Sequence, residues 1–387
     1  MATKEALSFV NLAGIAAWGK RVSAVRARLN DGPQCGKFAA QRFAAECAVE
    51  KARRGLPLST PEAALVELAT RIPPLYDSLN PVGQSRLRGA LDRAMQDDAT
   101  IMPLLHMVHT AKLQHDRGFH VEFTGLTQGT PYDLLISRDE AQAEIACNAL
   151  SAEDGHTVPL SSWSRLIDRI DPDLQTWLSS HPGRYLLKMT LPNGLRAEAA
   201  SLPALHSRIN AMLGGAKRAD YDEAAILRLD PLLLAGAQAG DNTKNMLARL
   251  RQEFGPEAQL AVSQAGSSLF VMAARGGTEN QVAATMRRRL AAIAPALLSG
   301  TRPGIIAMFL EDTGREEWRS LREQLLLEGE ARQFLTLPEA RPVIAVTCAS
   351  RYELAQAGTQ GGELRFRNPM HPAAKSLTLA PAVVSTV

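Results

Sequence analysis

Up to about Gly118 the chain carries apolar positions at helical spacing among Ala, Leu, Arg and Glu, with few β-branched runs, and predicts a stretch that is almost wholly helical. Ser59-Thr60-Pro61-Glu62 reads as a helix start: a hydroxyl cap, a proline in the first turn, then a carboxylate near the positive helix end. Pro103 to Arg117 reads as a further helix closed by Gly118. The texture then changes to short apolar runs between turn signals. His120–Phe123, Tyr132–Ser137 and Ala143–Leu150 predict three strands, with Arg138-Asp139-Glu140 as a tight hairpin between the second and third. Trp163, Leu166, Ile167, Ile170, Leu174, Trp177 and Leu178 have helical spacing within Ser161–Ser180, and Asp171-Pro172 is expected to interrupt that helix. Tyr185–Leu191 predicts a fourth strand.

Past Gly214-Gly215 the alternation continues. Strands are expected at Ala225–Leu229, Gln259–Ser263, Leu269–Ala273, Gly304–Phe309 and Val343–Thr347, and helices at Asn242–Phe254, Glu279–Leu298 and Arg315–Phe334. A sheet covered by helices is the architecture such alternation implies. The expected fold class is therefore α/β, with a helical N-terminal region at 1–100, a mixed-sheet core at 101–215, a C-terminal α/β region at 216–370, and a loosely ordered tail at 371–387.

Composition adds limits. Of 387 residues, 45% are hydrophobic and 21% charged, enough apolar material for packed cores. The net charge of +3 does not by itself imply a nucleic-acid partner. The first ~60 residues are more basic: Lys4, Lys20, Arg21, Arg26, Arg28, Lys37, Arg42, Lys51, Arg53 and Arg54 face only Glu5, Asp31, Glu46 and Glu50. That excess reads as a basic helical surface or as an ordinary solvated face. Cys35, Cys47, Cys147 and Cys348 form no CxxC pair, against a zinc ribbon or a disulfide framework. The apolar segment Ala6–Trp18 is shorter than the roughly 18 residues a membrane span requires, so no membrane partner and a cytoplasmic location are expected.

The order helix, three strands, helix, strand between Pro103 and Leu191 resembles the core of the PD-(D/E)xK, or restriction-endonuclease-like, nuclease superfamily. Pro131-Tyr132-Asp133-Leu134-Leu135-Ile136 is similar to its second-strand motif, with Asp133 at the metal position. Glu144-Ile145-Ala146-Cys147-Asn148-Ala149-Leu150-Ser151 is similar to the third strand, followed by Ala152-Glu153-Asp154-Gly155 as a loop found in some bacterial members. The resemblance implies that Tyr132–Ser137, Ala143–Leu150 and Tyr185–Leu191 share one sheet, with the Ser161–Ser180 helices packed on it. It implies a divalent ion such as Mg²⁺ held by Asp133 and Glu144. The sequence departs from the pattern. In the register that suits the following loop, Ala146 stands at the Glu of Glu-x-Lys and Asn148 at the Lys; with Glu144 as the motif acid, Ala146 takes the lysine place. Glu144, Ala146 and Asn148 share one strand face in either register. The helix glutamate common in the family is also missing, and His106 or Met107 occupies its region.

Asp133, Glu144 and Asn148 are thus the candidate catalytic residues, each with a structural alternative: a strand-start residue, a strand-end acid and an amide bonded within the fold. His106 and His109 share a helix face, and His120 and His156 flank the core; core or surface histidines are the commoner reading for all four. Arg287-Arg288-Arg289 point in different directions on one helix. Trp163 and Trp177 read as core anchors. No phosphate loop and no Gly-x-Ser-x-Gly elbow occurs. The function expected is a nuclease-fold protein that binds DNA or RNA, with phosphodiester hydrolysis weak or lost because the lysine is gone. The alternative is a non-catalytic scaffold or protein-interaction module.

Overall fold

A computed structural model describes residues 2–195, 201–231, 249–251, 253–255, 257–354 and 363–386. In chain order its helices and strands begin with α1 (Ala2–Ala13), α2 (Ile15–Leu29), α3 (Pro33–Arg42), α4 (Ala44–Arg53), α5 (Thr60–Thr70), α6 (Ile72–Ser78), α7 (Pro81–Ala94) and α8 (Met102–Asp116). There follow β1 (His120–Glu122), α9 (Thr124–Thr127), β2 (Leu134–Arg138), β3 (Ala141–Ser151), α10 (Leu160–Ser180), β4 (Arg184–Leu191), α11 (Ser201–Gly214), β5 (Ala219–Tyr221), β6 (Ile226–Pro231), β7 (Gln259–Ala265) and β8 (Ser268–Gly276). The described chain closes with α12 (Val282–Leu297), β9 (Gly304–Glu311), α13 (Arg315–Glu323), α14 (Leu326–Leu335), β10 (Val343–Ser350), α15 (Arg351–Leu354), β11 (Leu364–Arg367) and α16 (Ala380–Val383).

The chain is mixed α/β with a helical N-terminal region, and it divides into two compact units. The first is discontinuous: residues 1–27, 39–152 and 283–387. The second comprises 28–38 and 153–282. These limits differ from the boundaries at 100, 215 and 370 that the sequence suggests. The reason is a long-range pairing: β3 lies parallel to β9, with Glu144 opposite Gly304 and Ser151 opposite Glu311. That pairing closes the first unit around some 150 intervening residues, a closure no local pattern announces.

The first unit is built on a six-stranded sheet of order β1-β2-β3-β9-β10-β11. β1, β2 and β3 form an antiparallel meander, with Leu134 opposite Ile145. Arg138 pairs with Ala141, and Asp139 turns the hairpin with φ 51°, a left-handed conformation that Asp tolerates better than most residues. β9 and β10 read Gly-Ile-Ile-Ala-Met-Phe-Leu and Val-Ile-Ala-Val-Thr-Cys-Ala, continuous apolar runs that suit central strands buried on both faces; Ile305, Ile306, Ile344 and Val346 are all fully buried. α8 packs on β1, β3 and β9, and its buried residues join those of α1, α4, α5 and α7 in one core. Ser59 N donates to the Glu62 carboxylate at 2.8 Å, so the helix start read from the sequence is a capping box. Residues 370–386 are not a loose tail: Leu379, Ala382 and Val383 are buried in that same core, which outweighs the local excess of proline and small polar residues. The expected helix over Arg315–Phe334 is broken in two at Leu325, whose φ is 57°.

The second unit has a five-stranded sheet of order β5-β6-β4-β8-β7. β4 is its central strand, antiparallel to β6 and parallel to β8. The expectation that Tyr185–Leu191 joins Tyr132–Ser137 and Ala143–Leu150 is therefore corrected. The edge of β3 is taken by β9, and β4 finds its partners among strands that lie later in sequence. α10 runs unbroken from Leu160 to Ser180 through Pro172. Trp163, Leu166, Ile167, Ile170, Leu174 and Leu178 bury one stripe on both sides of the proline, and that burial outweighs the missing N–H. Trp177 stacks on His181 and meets Tyr185 and Phe270 edge-on, so both tryptophans are packing residues. The helix expected at Asn242–Phe254 falls largely outside the described residues. Among the described residues no helix is long and apolar enough to cross a membrane.

Candidate functional site

Asp133 directly precedes β2, and its backbone N–H bonds Ile145 O at 3.0 Å, extending the ladder by one residue. Its carboxylate turns back on β3: Oδ2 accepts the Cys147 backbone N–H at 2.7 Å. Burial drives this carboxyl up to about 6, while the Cys147 N–H works in the opposite direction. Among the described residues this acid is held by a backbone donor and by no cation.

Glu144 lies further toward the start of β3, opposite Leu135, and is fully buried. Both of its oxygens are committed. Ser299 N donates to Oε2 at 2.9 Å, the Ser299 hydroxyl donates to Oε1, and Arg302 Nη1 stands 3.7 Å from Oε1. Glu144 thus fastens the loop between α12 and β9 to the strand beside it. A buried carboxylate with two hydrogen bonds and a nearby guanidinium is satisfied without any ligand.

Asn148 lies on the same face of β3 as Glu144 and Ala146. Its Oδ1 accepts from Arg289 Nε of α12 at 2.9 Å. A cation is therefore present beside the place where the resemblance expects lysine, though it comes from another element. The other two arginines of the run go elsewhere: Arg287 pairs with Glu330 at 2.6 Å and Arg288 donates to Thr285 Oγ1.

The donor set does not fit one Mg²⁺ ion. Asp133 and Glu144 are engaged by different backbone and side-chain donors on different segments, and the fully buried Ala146 contributes no oxygen. Among the described residues no group of three or more His, Cys, Asp or Glu is placed to hold a metal. Of the histidines, His106 is buried on Phe309 and bonds Ala307 O at 3.1 Å. Burial pushes His109 down to about 3. His120 is exposed beside Glu122 at 3.7 Å, and His156 bonds Glu153 at 3.1 Å within the second unit.

Much of the N-terminal basic excess is neutralised inside the first unit. Arg21 is buried and bonds Glu46 at 2.8 Å and Asp97 O at 2.9 Å; Arg42 pairs with Asp312, and Lys51 with Glu62. Arg53 and Arg54 both converge on Glu50, holding its carboxyl down at about 2.

The sequence reading missed a polar cluster at the carboxyl ends of β3, β9 and β10. Asp312, with φ 59°, receives Arg42 and the Ser151 hydroxyl. Next to it, burial drives Glu311 up to about 7 although Thr100 Oγ1 donates to it at 2.5 Å. Beyond this cluster opens a cavity of about 720 Å³ bordered by Arg315, Trp318, Arg322, Arg351 and Tyr352. The only local sign in the sequence is that charged residues follow two apolar strands directly; the grouping depends on β3, β9 and β10 lying side by side.

Comparison with protein-family models, with curated proteins and with solved structures gave no match for this chain.

Proposed function

We propose that the chain is a nuclease-fold protein that binds nucleic acid and has lost phosphodiester hydrolysis. The observation that carries the reading is the state of β3: Asn148 stands at the lysine place and is bonded to Arg289, while Glu144 is fully committed to Ser299. The nuclease part of the reading is supported by element order. In the first unit α8, β1, the four-residue α9, β2, β3, α12 and β9 follow one another, with β3 parallel to β9. That is the helix–three strands–helix–strand order of the resemblance, with α12 and β9 in the places first assigned to α10 and β4. Hydrolysis by this superfamily needs an ion between two carboxylates and a cation by the attacking water. Here neither carboxylate is available, so binding is what remains. Exposed Lys and Arg would contact phosphates, and such binding weakens with salt by about 0.9 log units per tenfold salt for each phosphate neutralised. Fluorescence anisotropy with a mixed DNA and RNA pool tests this. Binding that weakens steeply with salt is expected, as is weaker low-salt binding of the Arg53→Glu/Arg54→Glu variant. No binding at the lowest salt overturns the nucleic-acid reading.

A second reading, a non-catalytic scaffold or protein-interaction module, is favoured by one observation: Arg21, Arg42, Lys51, Arg53 and Arg54 are all bonded to acids of their own chain. A scaffold shows no salt-dependent binding to the pool.

A further inference from the structure

We infer that the cavity at the carboxyl ends of β9 and β10 is a binding site for a small organic phosphate, independent of the nucleic-acid reading. Its position follows from the topology. α13 begins just after β9 ends, and α15 begins at once after β10, so both put their first residues at the same edge of two adjacent parallel strands. Open α/β sheets bind ligands at this edge because the helices and loops diverging from it leave a crevice. The volume of about 720 Å³ lies in the range of small-molecule sites, roughly 300–1,000 Å³.

The charge pattern sets the ligand class. Among the lining arginines, Arg322 pairs with Glu353 at 3.1 Å, and Arg319 is bracketed by Glu316 and Glu323. Of the lining acids, Glu62 is occupied by Lys51 and Ser59, and Glu353 also accepts from Trp318 Nε1 at 2.7 Å. Among the described residues, two of the lining guanidiniums are left without a carboxylate. Arg315 has only the ring of Tyr352, with its Cζ 5.6 Å from the centroid. Arg351 lies 4.8 Å from the same ring and bonds neutral acceptors alone, Gln41 O at 3.2 Å and Tyr352 Oη at 2.7 Å; its Nε is buried without a partner. Two uncompensated guanidiniums gathered on one aromatic ring repel each other, and an oxyanion shared between them removes both the repulsion and the unmet donor capacity. Phosphate, with its several acceptor oxygens, suits two planar forks. The lining also includes Ala44, Pro61, Leu65 and Leu364, apolar surface for an organic body.

Isothermal titration of the full chain at low ionic strength tests the site, with AMP, inorganic phosphate and adenosine as probes. AMP binds, inorganic phosphate binds more weakly, and adenosine does not bind. Arg315→Gln weakens AMP by about tenfold or more, the loss expected for one charge-assisted contact, about 1.4 kcal/mol or more. Arg315 is exposed and makes no hydrogen bond among the described residues, so this variant tests binding without threatening folding. Arg88→Gln, an exposed arginine on α7 stacked on Tyr76, leaves AMP binding unchanged. Three outcomes overturn the inference: no heat from AMP or phosphate, AMP affinity equal in Arg315→Gln and the parent chain, or adenosine binding as tightly as AMP.

Discussion

Arg289 Nε donates to Asn148 Oδ1 across 2.9 Å, joining α12 to the strand position that the proposed nuclease reading aligns with lysine. The amide accepts this bond but can neither carry charge nor move a proton. Restoring the motif on this backbone is predicted to fail. Ala146→Glu/Asn148→Lys puts a carboxylate at a fully buried position and a second cation beside Arg289. Burial of an unpaired charge dominates, and the double variant is expected to lose more than about 2 kcal/mol of stability without gaining Mg²⁺-dependent cleavage. Denaturant melts and a cleavage assay check both halves. A stable double variant that cuts DNA or RNA would show the site to be one step from activity.

Asp133 offers a pH signature. Its carboxyl is raised to about 6 from 3.8, so the folded state holds the proton more tightly than the unfolded chain. The stabilisation from this group is fully present below about 3.8 and is lost as pH rises through about 6. Above that, the ionised form is a burden of about 2–3 kcal/mol. Asp133→Asn keeps an acceptor for the Cys147 N–H and removes the charge. It is expected to raise Tm at pH 8 and to flatten the stability curve between pH 4 and 6. A lower Tm at pH 8 would mean that the carboxylate has a cationic partner this account omits.

Glu311 follows the same sign over a higher window. Its carboxyl rises to about 7 from 4.5, so its contribution is complete below about 4.5 and disappears through about 7. Glu311→Gln retains an acceptor for Thr100 and is predicted to stabilise the fold at pH 8 by about 3 kcal/mol. Urea melts at pH 5 and pH 8 on both chains separate this from a general acid effect: the parent loses the difference between the two pH values, and the variant keeps most of it.

Ser299 and Glu144 form the other anchor. Ser299→Ala leaves the backbone N–H bond to Oε2 but removes the hydroxyl from a fully buried carboxylate. The expected cost is about 1–3 kcal/mol, the range for stranding a buried polar group. Nucleic-acid affinity measured under folding conditions should not change, since Glu144 acts here as a fastener. A loss of affinity with full stability would give Glu144 a direct part in binding.

How far the sequence led depends on the range of each interaction. The hairpin at Asp139, the strands β2 and β3 and the Ser59–Glu62 cap are decided by neighbours within a few residues, and each was legible. The placement of β4 was not, because the run Tyr-Leu-Leu-Lys-Met-Thr-Leu says that a strand forms without saying which edge accepts it. The committed state of Glu144 needed Ser299, 155 residues away. Arg315 and Arg351 each look like ordinary surface charges in sequence; only the parallel pairing of β9 with β10 makes them neighbours of one ring. Arg289 illustrates the same limit, since Arg287 pairs with Glu330 on another helix, Arg288 bonds Thr285 within its own helix, and Arg289 reaches the sheet.

The most direct measurement is a salt titration of the purified chain with a labelled mixed DNA and RNA pool in Mg²⁺ or Mn²⁺, with strand length read on the same samples. Binding is expected to fall linearly in log affinity against log salt, with every strand intact at the end. Strands cut in a metal-dependent way, or no binding at the lowest salt, would contradict it.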